Sequence, residues 1–197
     1  SLRALFVHLN LKTPENIENF EISTGVPIHI DIEQSKFGYE NNYELVGSQI
    51  LDSRGFPTIE VQCFDHKLNK FIGKGSSPSG ASCGINEVLE LRDGDLDCYN
   101  GKSVYNAINN VSLINEQMIL NIKNITDLNK CDLQLNAIDN TNLKTILGGN
   151  TTTAVSFCIA DTAAKLTNME LFEYISKMYK FDNKYQLPTP FVNIING

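Results

Sequence analysis

Pro57-Thr58-Ile59-Glu60-Val61-Gln62-Cys63-Phe64 decides the architecture of this chain. Ile59, Val61 and Cys63 alternate with Thr58, Glu60 and Gln62, which puts one set on each face of a strand. Pro57 stands at the strand start, where its missing N–H does least harm. Upstream, Leu45 to Leu51 reads as a neighbouring strand. Downstream, Asp65 to Asn69 supplies a polar turn and Lys70-Phe71-Ile72-Gly73 opens a third strand. Consecutive strands joined by short turns predict an antiparallel meander.

From Gly101 the period changes from two to that of a helix. Val104, Ala107, Ile108 and Val111 recur at helical spacing, and Leu128, Cys131, Leu135 and Ile138 do so behind Asp127, a helix cap. Thr152 to Leu166 is apolar on most faces, which predicts a central buried helix. Glu170 to Tyr179 predicts a further helix with Leu171, Phe172, Ile175 and Met178 inward. Helices that follow strands rather than alternate with them indicate an α+β fold, here a three-stranded antiparallel meander followed by about four helices.

The chain has 197 residues, 42% of them hydrophobic, enough for a real core. The absence of any run of about 18 apolar residues argues against a transmembrane helix. A net charge of −7 argues against nucleic acid or an anionic membrane as partner, because phosphate neutralisation needs clustered Lys and Arg. Five cysteines without a CxxC pair predict core thiols in a reducing compartment. The three histidines lack metal-ligand spacing. Glycosylation sequons at Asn110, Asn124 and Asn150 are expected to be unused.

The sequence divides into three zones. Residues 1–44 read as an accessory N-terminal extension, with a helix start at Thr13-Pro14-Glu15, a stop at Gly25 and an alternating strand from Val26 to Glu33. Residues 45–185 hold the α+β domain. Residues 186–197, a Pro-marked linker entering an apolar stretch, read as the first strand of a further domain. The non-Met start and the apolar end predict a piece of a longer protein.

Between sheet and helices lies Ser79-Gly80-Ala81-Ser82-Cys83-Gly84. Its glycines free the backbone, its small side chains leave peptide groups accessible, and its serines offer hydroxyls to a polar ligand. The following acidic run (Glu87, Glu90, Asp93, Asp95 and Asp97) reads as a solvated helix face and turn. Gly101-Lys102-Ser103 is not a phosphate-binding P-loop, because the glycine that motif requires five positions earlier is Leu96. It reads as a helix start.

Taken in order, Asp52-Ser53-Arg54-Gly55-Phe56-Pro57-Thr58-Ile59-Glu60-Val61, Ser79 to Gly84 and Glu87-Val88-Leu89-Glu90-Leu91-Arg92-Asp93-Gly94-Asp95 resemble the amino-terminal domain of enolases. Gly101-Lys102, Leu147-Gly148-Gly149-Asn150 and Leu187-Pro188-Thr189-Pro190-Phe191-Val192-Asn193 extend the resemblance over residues 50–197.

The resemblance implies a parent that dehydrates 2-phosphoglycerate to phosphoenolpyruvate in glycolysis with Mg²⁺, as a cytoplasmic homodimer. Lewis-acid stabilisation of developing charge is the physical core of such chemistry. It implies that Ser79, Gly80, Ala81, Ser82, Cys83 and Gly84 form the substrate loop and that Ser82 is a ligand of a second Mg²⁺. It places Arg54 and Glu60 at or near the dimer interface. The catalytic base and acid and the remaining metal ligands are expected beyond Gly197, in a barrel domain, so the fragment alone is expected to be inactive. Phe56, Cys83, Asn86 and Asp161 depart from the family pattern and mark a divergent member. The alternative is a non-catalytic enolase-like binding or scaffold protein.

Overall fold

The computed structural model describes residues 42–80, 84, 86–182, 185–192 and 194. The helix expected at Thr13, the stop at Gly25 and the strand expected from Val26 to Glu33 lie outside them.

Strands β1 (Tyr43–Leu51), β2 (Pro57–Asp65) and β3 (Lys70–Ser76) form one sheet in the order β1-β2-β3, with both pairings antiparallel. The meander is the one the alternation predicts, and β1 starts two residues earlier than Leu45. Ile59, Val61 and Cys63 are fully buried, so the inward face of β2 is the centre of the core. Each large aliphatic side chain buried there contributes about 2 kcal/mol. A register shift falls between Cys63 and Phe64, beside the turn into β3.

Four α-helices follow among the described residues: α1 (Tyr105–Gln117), α2 (Leu128–Ile138), α3 (Gly149–Leu166) and α4 (Leu171–Tyr179). The Asp127 side chain accepts a hydrogen bond from Lys130 N, as its cap assignment requires. α3 crosses β3 at Gly73 and Gly75. A Cβ on Gly73 would run into Thr162, and one on Gly75 into the backbone of Cys158 and Ala154. The absent side chains let helix and strand backbones meet. Asp161 then accepts from Lys74 N, tying α3 to β3.

Three expectations need correction. The acidic run is not on a helix: residues 88–95 take no regular secondary structure. Leu171 and Phe172 of α4 are exposed, whereas Tyr174 and Ser176 are buried. Tyr174 is drawn inward because its hydroxyl reaches the Thr126 carbonyl, which turns part of the apolar stripe away from the core. The thiols are not all internal: Cys63, Cys131 and Cys158 are buried, but Cys98 is exposed. Burial pushes the Cys63 thiol up to about 11 and Cys131 up to about 12, so neither is a nucleophile at neutral pH.

Residues 185–192 form no strand; Leu187 is 98% and Phe191 96% exposed. A lone extended segment has no ladder to join. Among the described residues, no helix is long and apolar enough to cross a membrane.

Candidate functional site

The loop that begins at Ser79 borders an open cleft of about 790 Å³, lined by Arg54, Phe56, Ser79, Gly80, Arg92 and Lys102 among others. Its walls come from the β1–β2 turn, the segment after β3, an extended strap that returns from Glu87 to Arg92, Lys102, and the start of α3 at Gly149, Asn150 and Thr153.

The turn is built by Asp52. Its Oδ1 accepts from Arg54 N at 2.9 Å and from Phe56 N at 2.8 Å, while Gly55 takes the positive φ of 78° that the reversal needs. Those N–H bonds and the nearby Arg54 guanidinium outweigh the cost of burial and hold the Asp52 carboxyl below the usual range, the Phe56 N–H contributing most. The turn presents Arg54 and Phe56 toward the cleft. Lys102 Nζ lies 3.6 Å from the centre of the Phe56 ring, a cation–π contact.

The strap is clamped on one side to the start of α3. Leu89 N donates to Leu143 O and Leu89 O accepts from Gly149 N. The Asn150 side-chain amide accepts from Leu91 N and donates to Leu91 O, bridging 59 residues of sequence. Asn110 likewise donates its amide to Ile146 O and Leu147 O, so both side chains are engaged in tying loops to the scaffold.

With Leu89 and Leu91 engaged, the alternate residues Glu90 and Arg92 reach the loop stem. Glu90 accepts from Gly80 N at 3.2 Å and from the Ser79 hydroxyl at 3.3 Å. Arg92 Nη2 donates to Ser79 Oγ at 3.0 Å and to Glu90 Oε2 at 2.7 Å. Its Nη1 donates to Pro57 O and Lys102 O. Arg54 Nη2 adds a bond to Ser79 O at 2.7 Å.

Of the expected loop residues, Ser79, Gly80 and Gly84 lie at the cleft; Ala81, Ser82 and Cys83 are outside the described residues. Arg54 and Glu60 are not brought together. Arg54 grips Ser79, whereas Glu60 stands on the outer face of β2 and bonds Gln62, Lys74 and Ser76. Among the described residues, no group of three or more His, Cys, Asp or Glu side chains could hold a metal ion. Two of the acidic residues near the loop are committed, Glu90 as above and Asp93 to the start of α1, while Glu87 lines the cleft beside Gly84. Asp93 accepts from Tyr105 N and Asn106 N, both at 2.8 Å, because Val104 at the helix start has no side-chain acceptor. Burial raises the Asp93 carboxyl, but the Asn106 and Tyr105 N–H groups outweigh it and leave it lowered. Sequence reasoning missed the convergence of Glu90 and Arg92 on Ser79. Its only trace is their two-residue spacing in the strap.

The described residues thus make an α+β domain that presents a small-residue loop stem at the mouth of a cleft. Residues 43–175 match the family model described as the N-terminal domain of enolase, and the chain belongs to that family. It is 42% identical over 156 residues to an enolase of Ehrlichia canis (strain Jake), a match covering 78% of this sequence and 35% of the relative. It is 38% identical over 171 residues to an enolase of Methanosarcina acetivorans, covering 86% of this sequence and 37% of the relative. The chain thus spans about a third of the length of these curated relatives.

Two residues that the sequence reading set apart from the enolase pattern have local partners. Phe56 carries the Lys102 ammonium on its ring, and Asp161 accepts from Lys74 N and pairs with Lys165 at 2.7 Å.

Proposed function

We propose that the chain is the N-terminal domain of a longer enolase that converts 2-phosphoglycerate to phosphoenolpyruvate and water. The observation that carries this is the family match over residues 43–175 together with relatives named enolase. In the reaction a proton leaves C2, hydroxide leaves C3, and the new double bond forms between them, so the atoms balance without an oxidant. The general base, the general acid and the remaining metal ligands of that step fall to residues beyond this domain, so the 197-residue polypeptide by itself is inactive.

This domain contributes the loop Ser79, Gly80, Ala81, Ser82, Cys83 and Gly84. Ser82 would give oxygen to a second Mg²⁺, whose Lewis-acid charge stabilises the developing ene-diolate when bound. The described residues do not supply a metal shell of their own: Mg²⁺ takes several hard oxygen ligands, and no group of three or more His, Cys, Asp or Glu side chains among the described residues could hold one. The ligands other than Ser82 are therefore assigned to the rest of the protein.

The surface supports a further domain. Leu171, Phe172, Tyr179, Phe181 and Tyr185 are exposed, with Phe172 and Tyr185 in edge contact at 4.9 Å. An apolar patch of this kind marks an interface. The barrel domain, beginning in residues 186–197, is the occupant, and residues 1–44 are an accessory extension. Arg54 and Glu60 would lie at or near the interface with a second copy in a cytoplasmic homodimer, and Arg54 also holds the loop stem. Neither nucleic acid nor membrane is a partner.

The test is a phosphoenolpyruvate absorbance assay on the full-length protein and on the 197-residue polypeptide. Turnover with the former and none with the latter is expected. No turnover by a folded full-length protein at any magnesium concentration contradicts the lyase reading.

A further inference from the structure

We propose that Arg54, Glu90 and Arg92 are positioning residues that clamp Ser79 and Gly80, and so fix where and in which direction the backbone enters the substrate loop. The functional part of this rests on the reading of the loop given above; the clamp itself stands on geometry.

Three side chains from two separate segments meet on two consecutive residues. The Ser79 hydroxyl donates to Glu90 and accepts from Arg92, and Arg92 donates to Glu90, which closes a triangle of hydrogen bonds. Glu90 Oε1 also takes the Gly80 N–H, and Arg54 takes the Ser79 carbonyl. A backbone N–H, a backbone carbonyl and a hydroxyl of the stem are therefore all held. An ionised carboxylate only accepts, and all three neighbours of Glu90 here donate to it.

Arg92 has no role left for an anionic ligand. Its two terminal nitrogens make four bonds, to Pro57 O, Lys102 O, Ser79 and Glu90. Those carbonyls anchor the clamp to the start of β2 and to the approach to α1. The strap that carries Glu90 and Arg92 is fixed in turn by Leu89 and Leu91 to the start of α3. The stem is thus referenced to sheet and helices at once. The clamp remains partly exposed, with the Arg92 side chain 22% and that of Glu90 33% accessible. It adds little to the core and acts locally.

The experiment uses the full-length protein and reads two quantities: hydrogen exchange at the Gly80 amide, and steady-state kinetics with 2-phosphoglycerate. Glu90→Ala is expected to speed Gly80 exchange about tenfold, as loss of charge-assisted hydrogen bonds implies, with the amides of β2 unchanged. KM is expected to rise several-fold with kcat within about twofold, because a loosened stem lowers the binding-competent fraction. Ser79→Ala is expected to act in the same direction, and Ser79→Thr, which keeps the hydroxyl, to restore the original values. Unchanged Gly80 exchange in Glu90→Ala overturns the clamp. Faster exchange with unchanged KM overturns its positioning role. If Glu90→Ala also speeds exchange throughout β2, Glu90→Gln decides by the same readouts. If the unsubstituted protein shows no turnover, the lyase reading fails, while Gly80 exchange still decides the clamp.

Discussion

Asp139 and Glu90 perform the same chemistry in two settings. Each carboxylate gathers N–H and O–H donors from a loop. Asp139, at the end of α2, takes Thr141 N and its hydroxyl on one oxygen, and Ile146 N and Leu147 N on the other. It is fully buried, whereas the Glu90 side chain keeps a third of its surface in solvent. A buried acceptor that loses its charge strands several donors in a dry environment; an exposed one lets water replace it. Burial therefore separates a carboxylate that builds the scaffold from one that adjusts a loop. Asp93, half-buried like Glu90, accepts from the start of α1.

The largest effect is expected at the buried end. Asp139→Asn puts an amide NH₂ against donors and should cost about 3 kcal/mol in denaturant unfolding. Burial raises the Asp139 carboxyl, but the Thr141, Leu147 and Ile146 donors outweigh it and leave it lowered. Its stabilising contribution is then complete above the unfolded carboxylate value of about 3.9 and is lost as pH falls through the lower folded value. Asp139→Asn should flatten the acid limb of stability against pH; an unchanged limb breaks the comparison. Asp93→Ala removes the acceptor for two N–H groups of α1 and should cost about 1 kcal/mol, the usual value of a helix cap. Glu90→Gln should cost less than about 1 kcal/mol globally, in line with partly exposed ion pairs. A ranking with Glu90 above Asp139 would place scaffold and clamp the wrong way round.

Much of the scaffold was legible in the sequence because local pattern and tertiary position agree there. The alternation in β2, the Asp127 cap and the apolar surround of α3 each state their own burial. The strap does not, because its partners are remote: Asn150 lies 59 residues from Leu91, and Asp93 caps a helix 12 residues on. Charge alone made that run look like a solvated helix face. The orientation of α4 was also hidden, since an apolar stripe does not say which neighbour it meets and the Tyr174 hydroxyl decided it. At the candidate site the small-residue loop could be located from its composition. The grip on its stem could not, because Arg54 and Glu90 are 36 positions apart in the sequence and meet only through Ser79 and Gly80.

The central contrast can be measured in one sample. Hydrogen exchange in the full-length protein compares the Leu147 amide, bound by Asp139, with the Gly80 amide, bound by Glu90. Leu147 should exchange only with global unfolding and Gly80 orders of magnitude faster, through local opening. Equal protection of the two amides would contradict a rigid scaffold that carries an adjustable stem.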